Sequence, residues 1–261
     1  NCLFSITNGQ LREPIENIKL SNIQLKGHYI KEDLEAEELV LENISLVSET
    51  GPFKGSLSIV DFTNPKWTGS AKGKINLKSA HRIFKFPALD EVNGFLKVST
   101  DFVAAQNVKS KRMVLERCNG DVNFENVTLK LKEDKRQFEK VNSKLEFTKQ
   151  NIQINNFSLL VNASDLSLSG RMSNVFNYLY NEEVLGIDAR LKASKILITD
   201  LGSTSKEQKK MQQKTFALPK NIKGKLMVDI QNLNYEKHDY ENVKGSLSIQ
   251  GRDLNFKQIS L

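Results

Sequence analysis

Apolar and polar residues alternate along most of this chain, in short stretches broken by polar turns. Phe138 to Leu159 (FEKVNSKLEFTKQNIQINNFSL) carries the pattern most fully. Leu145 and Phe147 alternate, then Ile152 and Ile154, with a polar run from Thr148 to Asn151 between them. A period of two marks a strand with one face turned from water, and two such stretches around turn residues predict a β-hairpin. From Ile154 to Phe157 the spacing is three. An extra residue would flip every later side chain to the other face, so a bulge or strand break is expected there. The whole stretch recurs without a gap at Tyr240 to Leu261 (YENVKGSLSIQGRDLNFKQISL), with the turn at Gln250 to Asp253 and the skip between Phe256 and Ile259. The apolar positions are kept while the residues between them change, as in a repeated packing unit.

The first half of the unit occurs more often, as apolar-x-Gly-x-apolar-x-apolar. It is seen at Val92-x-Gly94-x-Leu96-x-Val98, at Cys118-x-Gly120-x-Val122-x-Phe124 and at Ile222-x-Gly224-x-Leu226-x-Val228. Less complete copies lie at Phe53–Ile59 and Ala71–Leu77. Glycine in a strand costs backbone entropy, so its recurrence predicts a bulge, a sharp bend or a close backbone approach. Cys118 fills the slot held elsewhere by Val92, Val141, Ile222 and Val243. It therefore reads as a small core hydrophobe rather than half of a disulfide with Cys2.

Leu3 to Leu25 is strand-like, with Asn8-Gly9 as a candidate hairpin turn. Leu34 to Val47 reads as strand, and Gly51-Pro52 and Asn64-Pro65 as turns. Short helices are expected at Ser79–Phe86, capped by Ser79 and stopped by Pro87, and at Asn174–Glu183. Asp200 to Gln213 is a polar loop or exposed helix. These elements predict an all-β chain with a few short helices: an elongated, strongly twisted antiparallel sheet of repeated hairpin units, curled into a groove. A β-sandwich is the alternative. The expected divisions are 1–87 (β, ending in a helical insert), 88–200 (central β-repeat), 201–215 (polar insert) and 216–261 (closing β-repeat), joined as one continuous unit. The chain starts at Asn1 and ends at Leu261, where a strand should continue, so it is expected to be a piece of a longer protein.

Composition changes this picture little. The formal charge of +7 over 261 residues favours acidic partners in general. The charge is uneven: Lys31 to Glu49 is acidic, while Lys109 to Arg117 and Lys206 to Lys214 are basic. Solvated strand faces and loops account for such runs. No recognition helix, zinc-finger spacing or RNA-binding motif is present, so nucleic acid is not an expected partner. Gly69-Ser-Ala-Lys-Gly73-Lys74 lacks the spacing and the Ser/Thr of a phosphate loop. His28, His81 and His238 lie in unrelated segments with no ligand at metal spacing. No nucleophile elbow or carboxylate pair marks an active site. No catalytic residue, metal or cofactor is therefore assigned. Four Asn-x-Ser/Thr matches, at Asn43, Asn126, Asn156 and Asn162, reflect the abundance of these residues.

The candidate site is the apolar strand face itself: Leu145, Phe147, Ile152, Ile154, Leu226, Val228, Leu247, Ile249, Leu254 and Phe256. Two readings of it stay open: a dry core covered by another layer, or a groove for acyl chains.

The closing stretch resembles the C-terminal region of AsmA-like proteins, the group that includes TamB. The resemblance rests on Ile196-Leu-Ile198-Thr-Asp200-Leu201, a polar insert, Leu218-Pro219-Lys-Asn-Ile222-Lys-Gly224-Lys-Leu226-Met-Val228, then Leu233-x-Tyr235 and Tyr240-x-Asn242-Val243-x-Gly245-x-Leu247. It implies an envelope protein of Gram-negative-type bacteria, periplasmic and tethered in the inner membrane by a helix outside this chain. It further implies a non-enzymatic role in outer-membrane assembly and phospholipid transport, with phospholipid or another acyl-chain lipid held in an apolar groove. On that basis the groove is the expected reading of the face. A structural or adhesive β-repeat protein with a closed dry core is the alternative.

Overall fold

The computed structural model describes residues 1–14, 18–31, 36–107, 112–132, 134, 136–201, 221–251 and 253–260. The elements are β1 (Cys2–Glu13), β2 (Ile18–Ile30), β3 (Glu38–Ser48), β4 (Gly51–Val60), β5 (Lys66–Asn76), α1 (Leu77–Phe84), β6 (Leu89–Asn107) and β7 (Arg112–Leu131). They continue as β8 (Gln137–Thr148), β9 (Asn151–Val161), β10 (Ser164–Ser173), α2 (Val175–Asn181), β11 (Leu185–Leu197), α3 (Ile198–Leu201), β12 (Ile222–Tyr235), β13 (His238–Gln250) and β14 (Asp253–Ser260). All 14 strands form one sheet in chain order, with β1 and β14 as its edges. The expected all-β architecture holds, and the described strands make one open sheet rather than the two packed sheets of a sandwich.

The hairpin unit folds as its pattern predicts. In β9 Ile154 faces Leu145, yet the next paired residue, Asn156, faces Lys144, which leaves Asn155 as the extra residue. In β14 Phe256 faces Leu247 and Gln258 faces Ser246, which leaves Lys257 in the equivalent place. The turns also correspond: Lys149 (φ 55°) and Gly251 (φ 62°) hold matching positions in the two copies. Asn8-Gly9 does not turn a hairpin. Both residues lie inside β1 at a register shift, with Asn8 at φ 54°. Turn and bulge make the same demand, a left-handed residue, and asparagine meets it in either setting. Asn22, Asn43 and Asn126 are left-handed at similar shifts in β2, β3 and β7.

One pairing departs from the expected antiparallel sheet. β11 and β12 run parallel, from Leu185 opposite Ile222 to Leu197 opposite Asn234. Parallel neighbours need a crossover of about a dozen residues or more, and residues 198–221 provide it. The polar insert expected at 201–215 and the basic run at 206–214 fall within that connection, outside the described residues except for Leu201. Of the other basic run, 109–117, residues 109–111 are likewise outside them.

Both predicted helices form, with one cap corrected. Asn76, not Ser79, caps α1: its side-chain oxygen accepts from the Ser79 backbone N–H at 3.2 Å. Leu77 is consequently the first helical residue rather than the end of a strand. β5 stops at Asn76 opposite Phe95, while β6 extends back to Leu89, and α1 packs along that stretch of β6. Its foot borders a cavity of about 590 Å³ lined by Glu13 of β1 as well as by Asp90 and Val92 of β6. In a flat sheet strands five places apart are roughly 24 Å from each other. The sheet is therefore curled, drawing the end of β1 toward β6.

Candidate functional site: the apolar face of the sheet

Residues directly opposite one another on neighbouring strands share a face. Gly120 faces Phe147, Phe147 faces Ile152, Ile152 faces Met172, Met172 faces Ile187, Ile187 faces Gly224 and Gly224 faces Ile249. In the other half Leu41 faces Leu57, Leu57 faces Gly69, Gly69 faces Phe102 and Phe102 faces Cys118. One apolar face thus runs across the sheet. Its bulges keep the alternation on the same side when the count slips by one. The other face carries Lys54, Ser56, Lys72, Lys144, Glu146, Lys223 and Lys225, all exposed.

The eight sequence-predicted residues whose side chains are described all lie on this apolar face. Ile152, Ile154, Leu247 and Ile249 are buried, and Leu145, Phe147, Leu226 and Val228 are half-buried. The side chains of Leu254 and Phe256 lie outside the described set. Ile152, Ile154, Leu185, Ile222, Ile249 and Val175 of α2 form one cluster, with Leu145, Phe147, Leu226 and Tyr178 packed against it. The Phe147 ring meets Phe176 of α2 at 6.1 Å. Here, then, the face is covered by a helix and by its own curl.

A stretch that sequence reasoning did not single out is different. Over β3 and β4 the same face carries Leu41, Phe53 and Leu57, all half-buried. No helix packs substantially on β1 to β4 among the described residues. The signal was present in the alternation of Phe53, Leu57 and Ile59. By itself that alternation marks only a strand, and the longer repeat near the C-terminus carries the stronger signal.

A cavity of about 1060 Å³ crosses β1 to β7, lined by Lys54, Ser56, Ser70, Lys72, Asp101 and Asp121 together with Ile6, Leu25 and Ile44, and by none of Phe53, Leu57 or Phe102. On its polar side Lys54 and Lys72 stand opposite each other, and like charges so placed must stay solvated.

The Ile196–Leu201 stretch has a structural task. Asp200 accepts from Ser164 Oγ at 2.8 Å and from the Ala163 backbone N–H at 3.2 Å, and Ser164 Oγ accepts from the Leu197 N–H at 2.8 Å. The motif thereby ties β11 and α3 to the β9–β10 turn. Arg136 adds a second tie, donating to the Leu201 carbonyl at 3.1 Å and to Asp134. The Arg136 hydrogen bonds lower the pKa of Asp134. Burial pushes Asp165 upward, but backbone N–H donors from Ser194 and Lys195 outweigh it and leave its pKa lowered. These carboxylates hold neighbouring segments together. Cys118 is buried and free, its thiol pKa raised by burial, beside Thr100 Oγ1 at 3.6 Å; Cys2 is exposed and free. Among the described residues no cluster of His, Cys, Asp and Glu is placed to hold a metal ion, and no helix is long and apolar enough to cross a membrane.

Comparison of the chain with protein-family models, with curated proteins and with solved structures gives no match to any of them.

Proposed function

We propose that this chain is a periplasmic segment of an AsmA-like envelope protein that carries acyl-chain lipid along its apolar face, as a conduit or scaffold without catalysis. Its place is in outer-membrane assembly and phospholipid transport, tethered to the inner membrane through a part outside this chain. The observation that supports the reading is the one-sided apolar face shared by successive strands, covered by α2 between β7 and β11 and, among the described residues, by no substantial helix packing over β1 to β4. Each methylene that leaves water on such a surface contributes roughly 0.8 kcal/mol. A fatty acyl chain can thus be held with no polar contact, and can slide because no contact is specific. A structural β-repeat with a dry core is the second reading. What favours it is the cluster around Ile154, which α2 covers.

An environment-sensitive acyl probe separates the two. We expect saturable binding to the wild-type chain, and a loss of about tenfold in affinity on Leu57→Asp, since a carboxylate in the half-buried face disfavours contact with hydrocarbon. Equal binding by wild type and variant would refute the conduit. So would a wild-type chain that takes up no probe.

A further inference from the structure

We infer that α1 is an ionic strap that sets how far the β1 end of the sheet curls, a contact between opposite charges that salt loosens. The helix reaches three separate parts of the sheet. Leu77, at its start, packs against the buried cluster of Val92, Val127 and Val141, which belong to β6, β7 and β8. Ser79 Oγ donates to Glu49, in the turn between β3 and β4, at 2.9 Å. Lys78, Arg82 and Lys85 line one cavity of about 590 Å³ with Glu13 of β1 and with Asp90 and Glu91 of β6. α1 thus lies across the curled end of the sheet from β1 to β8, bridging strands that a flat sheet would hold far apart.

The two longer helices are held by different forces. α2 is fixed by burial: Val175 is 7% exposed and shares one cluster with Ile152, Ile154 and Leu185. α1 buries none of its residues fully, and what it turns toward β1 is charge. No Asp or Glu occurs from Leu77 to Ala88, so the helix side of the cavity is cationic and the acids stand on the sheet side. Asp90 and Glu91 share Lys130 at 3.3 and 4.0 Å and open β6, a few residues after the helix. They stay beside α1 whatever the curl. Glu13 is the acid that the curl itself brings to the helix. A single exposed ion pair contributes little, whereas several charges facing one another act together. Such attraction is screened by salt, over about 10 Å at 0.1 M and about 3 Å at 1 M.

The inference deepens the proposed function, resting on it only for the purpose of the motion: the width of the curl sets how lipid reaches the half-buried stretch of Leu41, Phe53 and Leu57. A distance between two spin labels on the full chain tests it without lipid. The labels sit on Gln10→Cys of β1 and Phe84→Cys of α1, both exposed positions, with Cys2→Ser and Cys118→Val removing the native thiols. At low salt one short distance is expected, longer in 1 M sodium chloride by about one strand spacing, roughly 5 Å. Glu13→Gln should lengthen it at low salt and remove most of the salt response. Glu13→Lys should lengthen it further, and there added salt should shorten it, because screening then weakens a repulsion. A helix held by packing alone would show no such change of sign. Circular dichroism should match the wild type throughout, since Glu13 is the last residue of an edge strand. A distance unmoved by salt and by Glu13→Lys would overturn the strap, as would a lengthening in Glu13→Lys that salt does not reverse. Acyl-probe uptake read on the same variants keeps the two ideas apart. A salt-dependent distance without probe uptake sustains the strap and refutes the conduit; probe uptake at a fixed distance does the reverse.

Discussion

Gly224→Val detaches β12 from β11 and costs about 3 kcal/mol or more, the sum of a strained backbone and a forced separation of strands. Gly224 sits at φ +148°, which side chains of L-residues rarely adopt, and a Cβ there would lie deep inside the van der Waals envelope of the Ile187 carbonyl. Neither neighbour has a way to yield, because the Ile187 backbone belongs to the only parallel pairing among the described strands. Among the described residues no second sheet packs on β12 to hold it in place once that pairing opens. Gly51 serves as the control. It also has positive φ, at +108°, but nothing lies within 4 Å of the site its Cβ would take. Gly51→Ala should therefore cost only the conformational part, about 1 kcal/mol. Urea denaturation of the two variants separates backbone strain from close approach. Equal losses would show that the approach of β11 to β12 contributes nothing.

Ile154→Asp is expected to unfold the chain outright. Ile154 is 3% exposed, faces Leu145 and Gly170, and belongs to the cluster that α2 covers. A carboxylate there would find no cation, and an unpaired buried charge costs about 3–5 kcal/mol, a large part of the roughly 5–15 kcal/mol of a typical domain. Burial raises the pKa of such a carboxyl above its unfolded value. The loss relative to wild type is then full at neutral pH and shrinks as pH falls and the group protonates in both states. Leu57→Asp, on the half-buried stretch of the same face, should stay folded. Thermal denaturation followed by circular dichroism checks both. If Ile154→Asp melts with the wild type, the cluster is not the packed core described here. The contrast also shows why Phe147 and Ile249 are poor places to test lipid binding by charge: the first packs on α2 and the second is buried, so unfolding would mask any effect on a ligand.

How far the sequence alone leads can be judged from particular residues. The hairpin units were legible because period two and a skip of three are local signals, and the bulges at Asn155 and Lys257 fall where the skip puts them. The apolar face was legible for the same reason. Asn8-Gly9 misled because left-handed asparagine serves a turn and a bulge equally well. Ser79 opens the helical pattern and so resembles a cap of α1, whereas the acceptor is the side chain of Asn76, three residues earlier. The parallel β11–β12 pairing was not legible. Which strands neighbour each other after a long polar insert depends on contacts far apart in sequence, and the insert itself looks like any surface loop. Which part of the apolar face stays open was equally hidden. It depends on where α2 folds back against β7 and β11, a packing choice that periodicity does not encode.

Native mass spectrometry of the gently purified chain, followed by organic extraction, shows whether this face holds lipid. Adducts of phospholipid mass are expected, which extraction releases and which return when the emptied chain is incubated with phospholipid. A folded chain that stays at its bare mass before and after that incubation would contradict that expectation, and would mark the sheet as a structural repeat whose apolar face serves only its own packing.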